Sequence, residues 1–152
     1  MTRRAAIWTI VTLSFSAACG VQEDGPPRIE VDRTPCAHCG MLISEPRFAA
    51  AYRAAGSEAR VFDDIACLLE GVSRERDRGA VRFWFHDVDT SGWIDGAGAV
   101  FVKSSRLRTP MAGGLVAYGD AAAAEKGAAG HQGRVIRSLQ DLLTEGSAGG
   151  EW

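Results

Sequence analysis

The chain has 152 residues, 46% hydrophobic and 24% charged side chains and a formal charge of −2, the size of one domain or of two small lobes sharing a core. This balance excludes a wholly disordered chain, and the lack of a basic surplus removes electrostatic support for nucleic-acid binding. Any specific chemistry has to come from where a few soft side chains fall.

Arg3 and Arg4 precede an apolar run from Ala5 to Phe15, about eleven residues, which is the size of a signal-peptide core and too short to span a bilayer. Ser16-Ala17-Ala18-Cys19 then sets small residues before a cysteine. That arrangement resembles the lipobox of bacterial lipoproteins, with Ser16 standing where leucine is usual. Residues 1–18 are therefore expected to be a cleaved lipoprotein signal, Cys19 the lipid-bearing first residue, and 19–27, with its polar VQEDGPP stretch, a tether. The expected location is the periplasmic side of a bacterial membrane, inner or outer, reached through the lipid anchor. The signal carries two arginines and no acid, so its removal leaves fifteen basic and nineteen acidic side chains, a net charge of −4. Such an acid-rich surface favours a basic partner.

Next comes Pro35-Cys36-Ala37-His38-Cys39-Gly40-Met41, a Cys-x-x-Cys unit followed by a thioether. Beyond it the chain reads twice as strand, strand, helix, strand. In the first lobe (about 36–90) the strands are 48–52, 59–62 and 80–85, and Asp63-Asp64 open a helix to about Arg74. Adjacent acids at a helix start are read as caps rather than as an acid–base pair. Trp93 and Asp95 follow a Ser91-Gly92 turn and connect the lobes. In the second lobe (about 93–137) the strands are 99–103, 115–118 and 134–136. The loop Thr109-Pro110-Met111 separates the first two, and Asp120 caps an alanine-rich helix. Strand alternation and the spacing of Ile65, Leu68, Leu69 and Val72 predict half-buried sheets, each covered by a helix on one face. A short helix over 138–143 and a frayed end from Thr144, with 146–152 as a flexible tail, complete an α+β fold of two pseudo-repeated β-β-α-β lobes within a 28–145 domain.

Without its signal the chain keeps only Met41 and Met111, both in turn-like segments, whereas a core using methionine as filler would scatter it through apolar helices. Thiolate and thioether donors together select Cu(I). Zinc would recruit four Cys or His ligands, usually as two pairs, and there is no second cysteine pair. Cys36, Cys39, Met41 and Met111 are thus the expected ligands of a Cu(I) site, and His38 is an additional candidate. Cys67 lies in an apolar helical pattern and reads as a buried free thiol acting as a small hydrophobe. His86 reads as a strand-end residue and His131 as a surface residue.

Cys36-Ala37-His38-Cys39-Gly40-Met41, Phe62-Asp63-Asp64-Ile65 with Cys67, Trp93-Ile94-Asp95 and Thr109-Pro110-Met111 occur in the order and at the spacings of the NosL family, which the chain resembles over roughly residues 27–145. The resemblance implies a membrane-tethered periplasmic Cu(I) metallochaperone, not an enzyme. It would act with copper-centre maturation machinery to assemble the copper–sulfide centre of nitrous oxide reductase, as in denitrification. It also implies a fold similar to the non-catalytic architecture of organomercurial lyase. Family members commonly carry glycine after the second methionine, where this chain has Ala112.

Three other readings compete. One is a periplasmic thiol–disulfide oxidoreductase using Cys36 and Cys39, although Gly40-Met41 and Pro46 interrupt the helix that such a motif normally starts. The second is a structural disulfide or zinc clip. The third is a lyase-like enzyme suggested by fold analogy alone.

Overall fold

The computed structural model describes residues 25–73 and 81–147. Cys19, the leader and most of the expected tether and tail lie outside the described residues. Among the described residues no helix is long and apolar enough to cross a membrane.

Seven strands and three helices follow in order: β1 (Ala50–Ala54), β2 (Arg60–Phe62), α1 (Ile65–Ser73), β3 (Val81–His86), β4 (Trp93–Asp95), β5 (Val100–Lys103), β6 (Leu115–Tyr118), α2 (Ala121–Gly130), β7 (Arg134–Ile136) and α3 (Leu139–Ser147). The first sheet has the order β2-β1-β3-β4 and the second β6-β5-β7, with all strand pairs antiparallel. The β-β-α-β duplication expected from sequence is present, since β2-β1-β3 and β6-β5-β7 share one topology. Trp93–Asp95, expected only as a connection, is a fourth strand on the first sheet, where Arg82 of β3 pairs with Asp95.

Register decides which side chains meet. Tyr52 lies opposite Phe83, and Ala50 opposite Phe85, so small residues on β1 leave room for aromatics on its neighbours. Tyr52 stacks on Phe62 at 5.4 Å, and Phe85 meets Phe101 of the second sheet edge-on at 4.8 Å. Phe85, Phe101, Leu115, Ile136 and Leu142 therefore share one core with Leu68 of α1. Burial of each such side chain contributes about 1.5–3 kcal/mol. Val102, Val116 and Tyr118, on the opposite face, pack with Ala124 and Ala128 of α2. The expectation of half-buried sheets needs correction. Every residue of β6 is buried, because the second sheet lies between α2 and the shared core and is covered on both faces.

A 3₁₀ turn, Pro46–Phe48, occupies the start of the first expected strand, because Pro46 fixes the turn. The last helix continues to Ser147, beyond the expected fraying point. Glu145 pairs with Arg134 of β7, and the Thr144 hydroxyl donates to the Gln140 carbonyl, which together hold the extra turn.

The halves are pinned at the end of β3. The Val88 N–H donates to the Ala117 carbonyl at 3.0 Å, and Asp87 Oδ2 accepts the Gly119 N–H at 2.7 Å. Asp87 Oδ1 also accepts the N–H groups of Asp89 and Thr90. Burial opposes ionisation of Asp87, but the amides of Thr90, Gly119 and Asp89 outweigh it and hold the carboxyl below its usual range.

Candidate metal centre

The Cys36–Met41 segment is a closed turn docked on the first sheet. Cys36 N–H donates to the Met41 carbonyl at 2.8 Å, Gly40 N–H to the Cys36 carbonyl at 3.0 Å, and Ala37 N–H to the Val61 carbonyl of β2 at 2.8 Å. Gly40 has φ +77, a left-handed conformation glycine adopts without a Cβ penalty. This turn sets Cys36 inward and Cys39 at the surface. The sulfurs of Cys36, Cys39 and Cys67 lie within 4.8 Å of one another. Cys67 is buried as expected, but its role as mere core filler has to be revised. The first turn of α1 aims its sulfur at the Cys36–Cys39 pair, a proximity between residues some thirty positions apart that helical periodicity does not reveal.

The three free thiols differ electrostatically. Burial pushes the Cys36 thiol up, yet backbone N–H groups of Cys39, Asp63 and His38 more than offset it and favour the thiolate. Burial also raises the Cys39 thiol, the Met41 amide opposing and Cys36 reinforcing the shift. Cys67 is driven far up by burial and by the Cys36 sulfur beside it. One thiol that loses its proton more readily, flanked by two that would yield theirs to a soft cation, is a coherent metal-binding arrangement.

Asp64 organises the site from below. Its carboxylate is 1% exposed. Oδ1 caps α1 by accepting the Cys67 N–H at 2.9 Å, while Oδ2 accepts the Met111 N–H at 3.0 Å and the Thr109 hydroxyl at 3.1 Å. Asp63 does not share the capping. Its side chain is buried, and burial, Asp64 and Glu45 raise its carboxyl. The Met111 loop rests directly on α1, since a Cβ on Gly113 would lie 2.5 Å from the Ala66 Cβ. Ala112 has φ 58, which explains why glycine suits this position.

Met41 and Met111 are 47% and 39% exposed, Met41 two residues past the surface thiol of Cys39 and Met111 on the loop held by Asp64. His38 is committed elsewhere, its Nε2 lying 2.8 Å from Glu70 Oε2 of α1. His86 is buried at the end of β3 against Trp93 at 4.0 Å, and His131 is exposed at the end of α2. Neither belongs to the sulfur cluster.

A duplicated β-β-α-β domain whose first helix and preceding turn gather three thiols has a site able to hold a metal ion. The NosL family model matches residues 28–145, and the chain belongs to that family. Among solved structures the fold matches the copper chaperone NosL from Shewanella denitrificans with a TM-score of 0.61 and 20% identity, covering 74% of this chain and 94% of that one. No curated protein sequence matches the chain.

Proposed function

We propose that this protein is a Cu(I) carrier, held by a lipid at Cys19 on the periplasmic side of a bacterial membrane, that hands copper to the machinery assembling the copper–sulfide centre of nitrous oxide reductase. The observation that carries the reading is the convergence of the Cys36, Cys39 and Cys67 sulfurs within 4.8 Å, on a domain of the NosL family. Two or three thiolates suit a monovalent soft cation, and a fourth ligand of the kind zinc usually demands is not supplied by His38, which pairs with Glu70. The surface thioethers of Met41 and Met111 add weaker, neutral donors. Transfer then proceeds by exchange, a receiving sulfur entering as a carrier sulfur leaves.

The order of the thiols disfavours an oxidoreductase. Disulfide exchange requires an accessible nucleophilic thiolate, whereas here the favoured thiolate, Cys36, is buried and the exposed thiol, Cys39, is raised.

Anaerobic titration of the full chain with Cu(I) against a chromogenic chelator tests the carrier reading. One equivalent should bind and resist the chelator, and Cys36→Ser with Cys39→Ser should abolish retention. Preferential retention of Zn(II), or retention of Cu(I) by the double variant, would overturn it.

A further inference from the structure

A groove of about 350 Å³ opens between the Pro46–Phe48 turn, the loop after β3 and the loop between β5 and β6. A second hollow of about 240 Å³ shares Asp89, Tyr118 and His131 with it and extends along α2. Arg47, Arg106, Arg108, Lys126 and His131 line the two. Asp89 is the one carboxylate among the described lining residues, and Arg47 is drawn partly aside to Glu45. Arg106, Arg108 and Lys126 make no ion pair among the described residues. In a chain with more acids than bases, these three cations without an acidic partner gather on one surface, with Asp89 and Asp87 acting on Tyr118 at its floor.

The walls are fixed in advance. The buried Ser104 hydroxyl donates to the His131 carbonyl at 2.6 Å and accepts the Arg106 N–H at 3.1 Å, tying one wall to the other. Tyr118 forms a rigid floor, its hydroxyl seated against Gly127 of α2. A preformed groove spares a ligand the cost of ordering it.

Position supplies the second argument. Arg108 stands three residues before Met111 on the same loop, about 11 Å of chain at most, and Thr109 between them is held by Asp64. An occupant that reaches Arg108 therefore lies within one short stretch of loop from Met111. We propose that the groove is a docking surface for an extended, acidic, carboxylate-bearing segment of the protein that receives the cargo, a proposal that rests on the carrier reading above. Acidic side chains pair with Arg106, Arg108 and Lys126, the arginines offering two-pronged contacts. The receiving sulfur is thereby brought to Met111.

Fluorescence anisotropy of a labelled hexaglutamate peptide with the full chain tests this, with hexaglutamine as control and vesicles of phosphatidylglycerol and phosphatidylethanolamine as a rival ligand. Hexaglutamate should bind in a salt-sensitive manner. Arg106→Glu with Arg108→Glu should weaken it by about tenfold or more, about 1.4 kcal/mol, with Cu(I) retention unchanged. Lys126→Glu, on the opposite wall, should act in the same direction and guards against misfolding of the first variant. Equal binding of hexaglutamate by wild type and both variants overturns the proposal, as does arginine-dependent binding of the vesicles but not of the peptide. If wild type binds the peptide in this manner yet retains no Cu(I), the acidic-segment site stands and the carrier reading falls.

Discussion

Asp64 and Met111 come from different halves of the chain, yet one oxygen of the Asp64 carboxylate holds the Met111 backbone N–H at 3.0 Å while the other caps the helix that carries Cys67. A single buried group thus sets the distance between the thioether loop and the thiol cluster. Asparagine at 64 keeps one acceptor oxygen and turns an NH₂ toward a donor. Asp64→Asn is expected to cost about 2–3 kcal/mol in urea unfolding and to weaken Cu(I) retention by about 10–100-fold. Destabilisation with unaltered retention would remove the Met111 loop from the metal site.

Cys67 separates the carrier reading from simple core packing. Cys67→Ala removes one sulfur from a tight site and is expected to cost about 1 kcal/mol of stability, while Cu(I) competition should show affinity falling well beyond what that loss explains. Retention equal to wild type would return Cys67 to the role of core filler.

Ala112 occupies a left-handed conformation, φ 58, that costs an L-residue about 1–2 kcal/mol. Glycine relieves that strain and gives back part of the gain through greater freedom in the unfolded chain. Ala112→Gly should stabilise the protein by about 0.5–1 kcal/mol, read as a higher thermal midpoint.

Gly127 inverts the usual helix rule. Exposed helical glycine replaced by alanine commonly gains about 1 kcal/mol, but here the new Cβ would lie 2.1 Å from the Tyr118 hydroxyl and 2.6 Å from its ring. Tyr118 is buried and cannot swing clear. Gly127→Ala is expected to destabilise by about 1–3 kcal/mol in denaturant unfolding.

Asp87 makes the join between halves sensitive to acid. Its folded-state carboxyl lies below the usual value, burial being outweighed by the Thr90, Gly119 and Asp89 amides, so its stabilisation is present above the unfolded value near pH 4 and is lost as pH falls below it. Asp87→Asn should lower stability at neutral pH and flatten the acid limb of a stability–pH profile. An acid limb as steep as wild type would assign the sensitivity to other carboxylates, such as Glu145, which Arg134 holds low.

Much of the fold is legible because it is written locally. Aromatic and β-branched runs at Phe83-Trp84-Phe85 and Val100-Phe101-Val102 mark strands, and Asp120 caps α2 as its position predicts, accepting the Ala123 N–H at 2.8 Å. The Cys36–Cys39 pair of the sulfur cluster is likewise visible from spacing alone. What sequence does not show is long-range. Cys67 keeps the apolar periodicity of a core residue while facing sulfur delivered by a distant turn, His38 looks available until Glu70 of α1 reaches it, and β4 is too short to announce itself without its partner β3. The basic groove gathers Arg47, Arg106, Arg108 and Lys126 from three separate segments, which only the fold brings together.

Asp64 and Asp87 bridge from the first half to the second by gripping main-chain amides at Met111 and Gly119, Asp64 also taking the Thr109 hydroxyl, and neither touches the side chain of residue 111. That grip is blind to the identity of residue 111. The loop can therefore present thioether, imidazole or thiol at an unchanged position, so the chemical character of this exposed side chain is adjustable by a single codon without redesigning the scaffold beneath it.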